Sequence, residues 1–128
     1  MEKPIDRLAF FRLLLTDDLP QSVKLAESLI TSFTQKLNVP VAEPSAADYL
    51  KLYCIPTIID GIYCRNLTLT RLIKGVVIYG ETLYQDNVNE CIALSKSDTE
   101  IFGIKTSSRV KQVAEAYYEG IINYAEKK

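Results

Sequence analysis

The chain has 128 residues, 48% of them hydrophobic, with five glycines and five prolines, so a disordered or low-complexity chain is excluded and one domain over residues 1–128 is expected. Fifteen basic against sixteen acidic side chains leave a net charge of −1 with no basic stripe, which disfavours nucleic acid as a partner. The chain has no histidine, and that removes the commonest general base, any Ser-His or Cys-His nucleophile pair and the commonest metal ligand.

Pro4 opens the first expected helix, which runs to about Leu15. Ile5, Leu8, Ala9, Phe11 and Leu15 share one face, while Phe10, Leu13 and Leu14 fall elsewhere, so the helix is apolar nearly all round and is expected inside the core. Thr16, Asp17 and Asp18 then supply caps for a second helix with Pro20 in its first turn. Leu19, Val23, Ala26, Ile30, Phe33 and Leu37 form its stripe, and Ser22, Ser28 and Ser32 lie outside it. Asn38 and Pro40 end that helix in the connection VPVAEP.

Ser45 and Asp48 resemble a capping box ahead of Tyr49, Leu50 and Tyr53. Pro56 interrupts this third helix, and a kinked helix or two short ones are expected to about Cys64. The same stretch, CIPTIIDGIYC, is rich in β-branched residues and contains the turn dipeptide Asp60-Gly61. It therefore supports an alternative α+β fold in which residues 54–64 and 76–84 form a small hairpin.

The longest apolar segment is NLTLTRLIKGVVIYGETLY, residues 66–84. Leu69, Leu72, Ile73, Val76, Gly80, Leu83 and Tyr84 keep helical spacing longer than Val76–Tyr79 keep strand alternation, so a central helix is expected, capped by Asn66 or Thr68. Gln85-Asp86-Asn87 breaks the chain before a short helix over VNECIALS. Residues 95–108 read as a loop pinned to the core by Ile101, Phe102 and Ile104. Thr106 to Ser108 cap a last helix with Val110, Val113, Ala114, Tyr117, Ile121 and Tyr124 on one face, closed by Lys127 and Lys128. The resulting class is all-α: a bundle of about six helices around residues 66–84.

Cys54, Cys64 and Cys91 stand among apolar residues without zinc spacing, and are expected as buried free thiols in a reducing, cytoplasmic compartment. Arg7, Arg12, Asp17 and Asp18 interrupt the early apolar run, so neither a signal peptide nor a membrane-spanning helix is expected. No cofactor or metal is called for. Asp60, Glu81, Asp86 and Glu90 remain as carboxylates for a histidine-free enzyme, should they converge. A helix-turn-helix at 67–94 would make a DNA-binding regulator, but Arg71 and Glu81 occupy positions where such a pair needs small and apolar residues.

Eight tyrosines and no tryptophan are the compositional peculiarity, and tyrosine suits interfaces. Tyr117 and Tyr118 are adjacent and must diverge on a helix, and Ile78 and Tyr79 lie off the central stripe. These four residues mark a partner-binding surface. The expected function is a small protein–protein interaction module of adaptor, chaperone or regulatory-subunit type, without catalysis, binding another protein or a second copy of itself.

Overall fold

The computed structural model describes residues 4–84 and 86–127; Gln85 and Lys128, expected in a break and at a helix end, lie outside them. Along the chain come α1 (Pro4–Leu15), α2 (Asp18–Leu37), α3 (Asp48–Tyr53), β1 (Cys54–Pro56), β2 (Tyr63–Arg65), α4 (Thr68–Leu72), α5 (Val88–Leu94), β3 (Thr99–Ile101), β4 (Ile104–Thr106) and α6 (Ser108–Glu126). The fold is α+β, which corrects the all-α expectation.

Two long helices set the frame. Gln21 meets Tyr124, Ser28 meets Gly120 and Leu37 meets Arg109, so α2 and α6 run antiparallel. Their contact is made by small residues. Ser22, Ser28 and Ser32 are buried on α2, and Ala116 and Gly120 on α6, with Leu29 between them. The Ser28 hydroxyl donates to the Gly120 carbonyl at 2.8 Å, so its burial leaves no stranded donor. Both helices are thus rolled away from the faces expected from their apolar stripes, because serine, alanine and glycine let the backbones approach more closely than Val23 or Ile121 would. Ile30 and Phe33 pack sideways instead: Ile30 toward Gly61, and Phe33 edge-on to Tyr117 with ring centroids 4.8 Å apart.

The first hairpin pairs Cys54 with Arg65, Ile55 with Cys64 and Pro56 with Tyr63. It lies wholly within residues 54–65; residues 76–84 take no part, which corrects the pairing in the α+β alternative. Pro56 ends the preceding helix, and the loop closes through the Thr57 amide on the Ile62 carbonyl at 2.9 Å. Gly61, at φ +79, is tucked so tightly under the connection that a Cβ there would stand 2.2 Å from Val41 Cγ1. Cys54 and Cys64 occupy successive register positions and so face opposite sides of the ribbon, where no disulfide can join them. Cys91 is exposed and Cys54 and Cys64 are half-buried, so the expectation of three buried thiols fails.

The second hairpin replaces the loop expected over 95–108. Its two-residue turn, Phe102-Gly103, has φ of +51 and +80, the signature of a type I′ turn. Phe102 is fully exposed at the tip and Ile104 is exposed beside it, so neither pins the segment to the core. Asp98 holds it instead, accepting from the Ser108 amide at 2.7 Å.

The central helix is also corrected. Only Thr68–Leu72 is helical; residues 73–84 form an extended strap. Gly75 turns the chain at φ +117, a conformation closed to other residues, and Val76, Val77 and Ile78 favour extended backbone. Distant side chains take the backbone groups that a helix would have used. Arg12 donates to the carbonyls of Ile73 at 2.7 Å and Arg71 at 3.2 Å, the Gly75 amide donates to Asp18 at 3.1 Å, and the Val77 amide donates to the Ser22 hydroxyl at 3.0 Å. Asp18 therefore binds the strap and Arg12 rather than capping α2, whose first turn carries no side-chain cap bond.

Candidate interaction surface

Three sets of bonds hold α6 and its neighbours in place. The Ser107 hydroxyl, buried, accepts from the Val110 amide at 3.0 Å and caps the first turn. Arg109 grips Glu90 through two bonds of 2.9 and 2.5 Å and also donates to the Leu37 carbonyl at 3.1 Å, tying α5, α6 and the end of α2 together. Asn87 caps α5, accepting from the amides of Asn89 and Glu90.

Against this frame lies the strap. Gly80 rests on the tip of Tyr117, where a Cβ would come within 2.1 Å of the phenol oxygen, and the Thr82 hydroxyl stands 2.6 Å from that same oxygen. Glu81 accepts from Tyr49 at 2.5 Å. That bond, chiefly, together with burial, pushes the Tyr49 hydroxyl up to about 12. Burial likewise raises the Tyr63 hydroxyl, which donates to the Ala42 carbonyl at 2.7 Å.

The four residues expected at a partner surface separate here. Tyr117 is engaged within the fold, by Phe33 on one side and Thr82 on the other. Ile78 is half-buried in the strap, while Tyr79 and Tyr118 are about two-thirds exposed. The Tyr117 side chain reaches from α6 to Gly80 of the strap, a contact that links the two elements but spends the two residues at its centre.

Sequence reasoning missed much of the remaining open apolar surface because it assigned those side chains to the core. Rolling α6 toward Ala116 and Gly120 leaves Val110 and Ile121 exposed beside Tyr118, which was already expected at the surface. On α1, Ile5, Leu8, Phe11 and Leu15 are exposed along the face expected to be buried, Leu15 to 84%. That an all-round apolar helix has a second face to bury was the available signal.

The carboxylates do not converge as one site: Glu81 bonds Tyr49, Glu90 pairs with Arg109, and Asp60 and Asp86 are exposed. Among the described residues no group of three or more acidic or thiol side chains is placed to hold a metal ion. The region proposed as a helix-turn-helix has α4 and α5 separated by residues 73–87, and α5 carries Glu90 but no basic residue. A polar cleft of about 460 Å³ lies between α2 and α6, lined by Gln21, Lys24, Ser28 and Tyr124 among others. No described helix is long and apolar enough to cross a membrane.

Comparison with family models, with curated proteins and with solved structures finds no match.

Proposed function

We propose that this chain is a small protein–protein interaction module of adaptor, chaperone or regulatory-subunit type, working by binding rather than by chemistry of its own. One observation carries the reading. The chain exposes 9303 Å², whereas a compact monomer of its 14.4 kDa exposes roughly 6,800 Å². Part of that difference is apolar side chains on α1, on α6 and at Tyr79, surface that a partner would cover. The exposed tyrosines add large, stiff side chains with a polar tip, suited to a contact that forms in water. A cytoplasmic setting is part of the same proposal, supported by three cysteines without a disulfide.

Affinity capture from the source cell, with Tyr79→Glu/Tyr118→Glu beside the unaltered chain, tests it. The unaltered chain retains a partner identifiable by mass spectrometry, and the double variant loses it with its helical circular dichroism intact. Equal retention by both would remove these tyrosines from the surface, and no retained partner, together with a strictly monomeric chain, would remove the function.

A further inference from the structure

We propose that the occupant of the outer face of α6 is a second copy of this chain, laid antiparallel across the same face with a twofold axis close to Tyr118. This rests on the interaction-module reading and names its partner.

The first support is the seam. Val110, Ala114, Tyr118, Ile121 and Ala125 recur at steps of four, four, three and four along a helix of 19 residues, and every one of them is exposed. That spacing keeps one ridge in line for its whole length, the pattern by which one helix seats on another. Ala114 and Ala125 let the backbones approach, while Tyr118 and Ile121 fill the space between them. It is a second seam, separate from the Ala116–Gly120 contact used by α2.

Charge then selects the occupant and its direction. Lys111 stands toward the N-terminal end of the seam and Glu126 toward its C-terminal end, and both are exposed. With the axis between Tyr117 and Tyr118, residue i faces residue 235 − i of the other copy, so Val110 meets Ala125, Ala114 meets Ile121, and Lys111 lies two positions from Glu126, a pair that forms twice. A parallel arrangement would set Lys111 against Lys111 and Glu126 against Glu126. The outer face of α1 offers more apolar surface, but its described residues carry no such self-complementary charge.

A standard interface takes about 800 Å² from each partner, and the chain as a whole exposes roughly 2,500 Å² beyond a compact monomer.

Sedimentation and light scattering on the purified full chain across the micromolar range test the pairing. The expected result is a species of twice 14.4 kDa that Ile121→Glu converts to monomer with unchanged helicity. Lys111→Glu should weaken association several-fold, and Lys111→Glu combined with Glu126→Lys should restore it. Should Ile121→Glu lose its helicity, this surface charge pair decides the matter. A monomer at every concentration overturns self-pairing but leaves the interaction module to the capture experiment. A dimer indifferent to Ile121→Glu overturns the assignment to α6, and failure of the double reversal to rescue overturns the antiparallel direction.

Discussion

Gly120 of α6 lies against the backbone of α2: a Cβ at position 120 would stand 2.9 Å from the Leu29 Cα and 2.7 Å from its Cδ2. Glycine within a helix usually costs about 1 kcal/mol relative to alanine, so Gly→Ala normally stabilises. Here the sign reverses, because a backbone atom cannot step aside as a side-chain tip can. Gly120→Ala should destabilise the chain by about 1–3 kcal/mol in urea unfolding. A neutral or stabilised variant would contradict the close approach of the two helices.

Gly75 presents the opposite situation. Nothing stands within 4 Å of a Cβ there, so space is free, yet φ is +117. Gly75→Ala should therefore lose about 1–3 kcal/mol through backbone conformation alone. The Val77 amide, bonded to Ser22, should exchange its hydrogen faster in the variant. Unchanged stability and exchange would mean that the strap does not need this turn.

Phe102 occupies a left-handed position at the tip of the β3–β4 turn, where asparagine is preferred and phenylalanine is strained. Its side chain touches nothing that would offset the strain, being fully exposed. Phe102→Asn should raise stability by up to about 1 kcal/mol, visible as a higher melting temperature. A fall would show that the ring makes a contact within the folded chain.

Tyr49 links pH to stability through the strap. Its hydroxyl is pushed up from 10.0 to about 12, first by the bond to Glu81, so the folded chain holds that proton more tightly than the unfolded one. The contribution is complete below pH 10 and is lost as pH rises through 12. The stability advantage of the unaltered chain over Tyr49→Phe should shrink across that window. In Glu81→Gln, absorbance of tyrosinate at alkaline pH should show one hydroxyl ionising earlier, while Tyr63, raised by burial, stays late. A late Tyr49 in Glu81→Gln would rule out the carboxylate as the main cause.

For α1, α2, α5 and α6 the spacing of apolar residues, together with Pro4, Asn87 and Ser107, was enough to place the helix in the sequence, because those signals act within a few residues of one another. Which face each long helix buries was not legible. Ser28 and Ser32 look like solvent residues until Ala116 and Gly120, some ninety positions away, are brought against them. Val110 and Ile121 became surface by the same rotation.

The segment from Asn66 to Tyr84 shows the division most plainly. Its seven helically spaced positions describe a helix that Gly75, three β-branched residues and the side chains of Arg12, Asp18 and Ser22 together prevent. Those partners lie more than fifty residues distant, so no local pattern could announce them. The sequence alone determined that the chain is rich in apolar and tyrosine residues set on more than one face of its helices, since composition and periodicity are local properties. Tertiary structure decided where that surface lies, because close packing of α2 on α6 selects small residues for the contact and turns the larger ones outward.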